Sequence, residues 1–108
     1  MKVNELSALC GFEALCLPDG EREISGAYIG DLLSWVMGRA QADNAWITIM
    51  SNINVIAVAS LADVACIILA EGVTLDEEIR KTAEQKDINV LVSPLPAFET
   101  AEQLIGKV

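Results

Sequence analysis

The stretch Asn44–Gly72, NAWITIMSNINVIAVASLADVACIILAEG, constrains the fold most. Between Asn44 and Glu71 it carries a single charge, Asp63. Two β-rich runs, Ala45–Met50 and Val64–Ala70, flank the apolar segment Ile53–Ala62. A strand, a buried helix and a second strand satisfy this pattern. Strands apolar on both faces read as parallel strands covered on both sides. In Ala45–Met50, Trp46, Thr48 and Met50 point one way, and Ile47 and Ile49 the other. A βαβ unit tends to present ligands at the carboxyl ends of its strands. Here those ends read Ser51-Asn52 and Glu71-Gly72.

The chain of 108 residues forms one domain, 1–108, long enough to bury a core. With 53% hydrophobic residues, it holds more apolar material than a small monomer readily hides, so a homodimer is expected. An Ala-rich core would absorb part of that excess. The helix Ile53–Ala62 is apolar almost all round, and Ile53, Ile56, Ala57 and Leu61 are the interface candidates.

The formal net charge is −9, with 7 basic against 16 acidic residues. Arg80-Lys81 and Lys86 are surrounded by acids, so nucleic acid and anionic membranes are excluded as partners. No apolar signal segment opens the chain, and Ser51, Asn52 and Asn54 interrupt the one stretch long enough to span a bilayer. A cytoplasmic setting is expected. The odd cysteine count (Cys10, Cys16, Cys66) argues against a disulfide framework. The absence of His removes Ser-His-Asp and Cys-His nucleophile pairs and His-ligated metal.

Around the central unit, Val3–Gly11 reads as a helix with Asn4 as N-cap and Gly11 past its end. Phe12–Leu17 follows as a strand, Pro18-Asp19-Gly20 as a turn, and Glu23–Ile29 as a strand with Gly26 at a close approach or bulge. Asp31–Arg39 is a helix with an apolar face of Leu32, Leu33, Val36, Met37 and Ala40, and with Trp35 at the core edge. Thr74 and Glu77 form a capping box for the helix Leu75–Lys86. Ile88–Val92 is the last strand, and a helix from Ala97 to about Gly106 closes the chain. This predicts an α/β domain with a mainly parallel sheet of about five strands and helices on both faces.

The order of these pieces, from about Val3 onward, resembles a DRTGG domain. The resemblance rests on Gly26-Ala27-Tyr28-Ile29-Gly30-Asp31 before an apolar helix, a strand ending near Ser51, and Ala65–Ala70 ending at Glu71-Gly72. It continues through a final strand followed by Ala97-Phe98-Glu99-Thr100-Ala101. At the signature's Asp-Arg and Thr-Gly-Gly positions stand Ser51-Asn52 and Ala70-Glu71-Gly72, so only Gly72 is kept. The resemblance implies a dimerising, regulatory part of the kind found in HPr kinase/phosphorylase-like proteins, phosphotransacetylases and regulatory pyrophosphatases. No phosphate-binding Gly-x-x-x-x-Gly-Lys-Ser/Thr is present, so kinase activity is not implied.

The strand ends supply the ligand candidates. Ser51, Asn52 and Asn54 open a helix whose free N–H groups suit an anion, as do Gly72 and Thr74, and Ser93 ends the last strand. Glu71 would repel phosphate, and plain capping explains the same residues. Cys10 and Cys16 lack the further thiolates a metal or iron–sulfur site needs. Asp31, Asp63 and Glu71 are not forced together by spacing, and helix-start charge accounts for Asp31. No catalytic residue, metal or cofactor is assigned. The expected function is a non-catalytic regulatory or protein-interaction module that dimerises through its central region. The alternative is a sensor of an adenine nucleotide-like small molecule at the strand ends. An accessory role to a kinase or redox enzyme ranks last.

Overall fold

A computed structural model describes residues 1–108. A 3₁₀ turn (Val3–Glu5) leads into α1 (Leu6–Cys10), β1 (Glu13–Cys16), β2 (Ala27–Ile29) and α2 (Leu33–Arg39). The central unit is β3 (Ala45–Thr48), α3 (Asn54–Ala62) and β4 (Cys66–Leu69). Then come α4 (Glu77–Gln85), β5 (Val90–Val92) and α5 (Ala97–Glu102). The five strands form one sheet in the order β1-β5-β4-β3-β2. β2, β3, β4 and β5 run parallel to one another, and β1 is antiparallel to β5.

The expected α/β architecture is the observed one. Every residue of β3, β4 and β5 is buried, as the unbroken apolar runs require of strands covered on both faces. Side-chain alternation divides the core as expected. Trp46, Ile67, Leu69, Val90 and Val92 meet α2, α3 and α4 on one face. Ala45, Ile47, Cys66, Ile68 and Leu91 meet α1 and α5 on the other. Trp46 is fully buried, and its indole N–H donates to the Gly30 carbonyl at 2.9 Å. That bond satisfies the polar end of the largest core side chain.

The parallel strands advance in one direction, and all three crossover helices lie on one face. The order never reverses among β2–β5. The crevice that a reversal opens at a topological switch point is therefore not built between them.

Several local expectations are corrected. The Asn4 side-chain amide donates to Glu21 at 2.9 Å and does not cap the first helix, whereas Gly11 ends that helix at φ 74° as expected. Gly20 has no positive φ; a Cβ there would lie 3.2 Å from the Asn4 Cβ, so closeness is what that turn requires. β2 is shorter than the predicted Glu23–Ile29, and Glu23 forms only an isolated bridge with Lys2. On α2, Val36 is buried but Leu32, Trp35 and Met37 are about half exposed. Trp35 lies outside the core, with the Arg39 guanidinium 3.7 Å from its ring centre. On α3, Ile56 is 1% exposed and packs inward with Val55, Val58 and Ala59. It is not a surface interface residue. Ile53, Ala57 and Leu61 form the outward stripe, spaced four residues apart.

Candidate functional site

The carboxyl ends of the parallel strands lie along one side of the sheet. At β2 and β3, the Asp31 carboxylate accepts from the Thr48 hydroxyl at 2.7 Å and from the Ile49 N–H at 3.0 Å. The Thr48 hydroxyl oxygen in turn accepts from the Met50 N–H. Asp31 therefore pins the exit of β2 to the end of β3. It does not serve as the helix-start charge, because α2 begins two residues later, at Leu33.

At the start of α3, the Asn52 side-chain oxygen accepts from the Asn54 N–H at 2.9 Å. The same residue's carbonyl accepts from Val55. This is capping, the plainer of the two readings for these residues. At β4, Glu71 and Gly72 take left-handed φ values of 60° and 70°. Their N–H groups donate to the Leu95 and Ser93 carbonyls, so neither faces an anion. A non-glycine residue in this region costs on the order of 1 kcal/mol, and Glu71 bears that cost where the signature has glycine. At β5, Ser93 is fully buried, with its hydroxyl 2.8 Å from that of Thr100. Thr100 also donates to the Leu95 carbonyl. Ser93, Glu71 and Gly72 thus belong to one junction joining the β4 and β5 loops to α5.

Thr74 is exposed and caps nothing. α4 starts later, with Asp76 as N-cap accepting from the Ile79 N–H at 3.2 Å. Thr-x-x-Glu and Asp-x-x-Ile are both legitimate starts, and burial of Leu75 ahead of the helix selects the second.

Of the ligand candidates from the sequence, only Ser51 and Asn52 line the open cleft, where they are joined by the interface candidate Ile53. That cleft lies between α3 and α4, has a volume of about 560 Å³, and adds Asp76, Glu78, Ile79 and Thr82 to its walls. Asn54 sits exposed on the first turn of α3, outside the lining. Asp76 and Glu78 oppose the positive ends of the two helices and make the cleft unsuited to phosphate. Hydroxyls, an amide and carboxylates suit neutral or cationic hydrogen-bonding groups instead. Asp76 and Thr82 were missed from sequence because only the folded crossover places α4 beside Ser51.

The opposite end of the sheet carries a second polar group that sequence reading did not single out. Arg22 donates to the Asp43 carboxylate at 2.9 Å and to both the carbonyl and the carboxylate of Asp63. Burial works against the Arg22 charge, but the two carboxylates outweigh it and hold its pKa above the ordinary value. Asp43 and Asp63 both sit in left-handed turns. The group ties the β1–β2 connection to the loops before β3 and β4.

The cysteines are packing residues. Cys16 and Cys66 are buried and Cys10 is partly so; all three are unpaired. Burial pushes the Cys66 thiol up to about 12 and raises those of Cys16 and Cys10, the reverse of an activated nucleophile. No cluster of three or more Asp, Glu or Cys side chains is arranged to hold a metal. No helix is long and apolar enough to cross a membrane.

The sequence model of the DRTGG domain matches residues 20–105. The chain belongs to the DRTGG domain family. The match begins after β1, so the 3₁₀ turn, α1 and β1 lie outside it. No curated protein matches the sequence. Among solved structures, the DRTGG fold here is similar to the regulatory region of Clostridium perfringens pyrophosphatase. That region comprises CBS and DRTGG domains and was solved in complex with its activator, diadenosine tetraphosphate. The TM-score is 0.69 at 18% identity, covering 94% of this chain and 44% of the other. The chain thus spans less than half of that neighbour, and at this identity the likeness is one of fold.

Proposed function

We propose that this DRTGG domain is a non-catalytic regulatory module that acts as a homodimer and through contact with other proteins. One observation carries the reading. Where the strands end, the polar groups are occupied in joining loops to one another, whereas the large apolar side chains beside them are uncovered. Ile29, Leu32, Ile49 and Ile53 are each about half exposed there. A folded monomer rarely leaves such a group bare without a use for it. The outward α3 stripe, Ile53, Ala57 and Leu61, is the face left for a protein partner. The three unpaired thiols fit a cytoplasmic setting. A regulatory role without kinase chemistry is also what kinship with the HPr kinase/phosphorylase-like proteins would supply.

Native mass spectrometry on anaerobically purified protein tests this. A dimer of twice 11.6 kDa without added mass is expected. A concentration-independent monomer, or turnover of any substrate, overturns the reading.

The α3–α4 cleft favours a second reading, a sensor for an adenine nucleotide-like ligand. Its acids favour the base and ribose within the cleft and the phosphates outside it. Thermal unfolding with adenosine, ATP and diadenosine tetraphosphate separates the two readings. A ligand at a hundred times its Kd stabilises the fold by about 2.7 kcal/mol. Loss of that shift in Asn52→Ala and Thr82→Ala would locate it in the cleft, and no shift with any of the three removes the sensor.

A further inference from the structure

We propose that the free edge of β2 is where two copies join, by antiparallel β2–β2 pairing about a twofold axis through Tyr28. This rests on the homodimer proposed above and names its interface. The Gly26 carbonyl accepts from the Ala45 N–H, and the Gly30 N–H donates to the Ile47 carbonyl. With β2 and β3 parallel in register, Tyr28 is the residue between them that bonds to β3. Ala27 and Ile29 therefore turn their N–H and C=O groups outward, where no strand meets them. A twofold at Tyr28 sets Ala27 of each copy opposite Ile29 of the other. That is the pairing in which opposed residues exchange both hydrogen bonds.

The side chains fit the same axis. On the sheet face that carries α1 and α5, a small Ala27 faces a half-exposed Ile29, a large-against-small cross-strand pair. On the other face, the right-handed crossovers of parallel βαβ units turn one flank of α2 toward this edge. Leu32, Trp35 and Arg39 occupy that flank at helical spacing, and the first two are more than half exposed. Together with Ala27, Tyr28 and Ile29 they offer on the order of 400 Å² of apolar side chain per copy. A standard interface buries about 800 Å² per partner, somewhat over half of it apolar, so the patch is the right size for its centre.

Charge selects a second copy. The chain is acidic overall, yet Ser25–Gly30 carries no charge at all. The twofold runs the two α2 helices antiparallel. Arg39 at the end of one then approaches Asp31 ahead of the other, an attraction made twice by symmetry.

The test is sedimentation equilibrium on the full chain and its Ile29→Lys and Ala57→Glu variants, with amide exchange at Ala27 and Ile29. Ile29→Lys is expected to raise the dimer dissociation constant by at least about 100-fold. Ala57→Glu should leave it unchanged. In the wild type, the Ala27 and Ile29 amides should be protected at dimer concentrations and lose protection on dilution. If the wild type dimerises but these amides exchange freely, or if Ala57→Glu alone dissociates it, the edge is wrong and self-association stands. If the wild type is monomeric throughout, both fall. If Ile29→Lys fails to fold, the wild-type exchange pattern decides.

Discussion

The two edges of the sheet are built to opposite standards. β1 pairs antiparallel with β5 through a register shift between Ala14 and Cys16, and it opens with an exposed carboxylate, Glu13. A bulge and a charge are the usual means of keeping a further strand from adding to an edge. β2 pairs in regular parallel register with β3 and has neither device. It is also the edge that lies inside the family-matched residues, whereas β1 lies outside them. An unguarded edge is open to pairing with a further strand, and a guarded one resists it.

The loops behind the edges differ as well, and mutations expose this. The loop leaving β1 is held by Asn89, which is 1% exposed. Its side chain accepts from the Asp19 N–H and donates to the Asp19 and Ala65 carbonyls, each at 2.9 Å. Asn89→Ala strands those groups and leaves a hole, and should cost about 3 kcal/mol in urea unfolding. The exit from β2 is held by Asp31, whose bonds are fewer and closer to water. Asp31→Ala should cost about 1–2 kcal/mol, and Asp31→Asn should recover much of it, since an acceptor remains. Hydrogen exchange should locate the Asp31→Ala loss at β2 and spread the Asn89→Ala loss over the whole sheet. Equal costs for the two alanine variants would mean that the edges are secured alike.

These differences also mark what the sequence could and could not reveal. The continuous apolar runs of β3 and β4 identified doubly covered strands, and alternation assigned Trp46 and Ile47 to opposite faces correctly. Gly11 announced its left-handed helix end. Those signals are local. The position of β1 beside β5 depends on pairing across more than seventy residues, which no spacing encodes. Helical periodicity places Trp35 at the core edge but cannot say which flank the neighbouring helix covers. By residue type and position, Ser93 fits a strand-end ligand site. Its actual partner, Thr100, is fixed only by the docking of α5. Ser51 and Asn52 stand out in the sequence and line the cleft, but the acids across it come from a helix whose distance to them is tertiary.

A smaller effect tests the guard on β1. Glu13→Val removes the edge charge at a half-open position and should change stability by no more than about 0.5 kcal/mol. The register shift remains, so only a weak tendency to associate beyond the proposed dimer is expected in sedimentation velocity at high concentration. If Glu13→Val forms extended oligomers readily, the charge was the main guard. If it changes nothing, the bulge suffices alone.

The smallest effect belongs to the segment linking the two edges. Lys2 donates to the Glu21 carboxylate at 2.7 Å, and Asn4 donates to its other oxygen. The Lys2 hydrogen bond and charge, with help from Asn4, hold the Glu21 pKa below its ordinary 4.5. A lowered folded-state pKa means the pair favours the fold above the unfolded carboxylate value. That contribution is lost as pH falls through the depressed value. Glu21 is exposed and Lys2 about half so, and salt and side-chain freedom erode the gain, so no shift in melting is expected to be resolvable. The titration itself is the observable. In carbon-detected NMR, Glu21 should titrate below 4.5 in the wild type and move back up in Lys2→Ala. The amides of Ala27–Ile29 should not respond, because the β1–β2 connection is also clamped by Arg22 on Asp43 and Asp63. A matching response at β2 would mean that this surface pair, and not the arginine clamp, sets the position of the open edge.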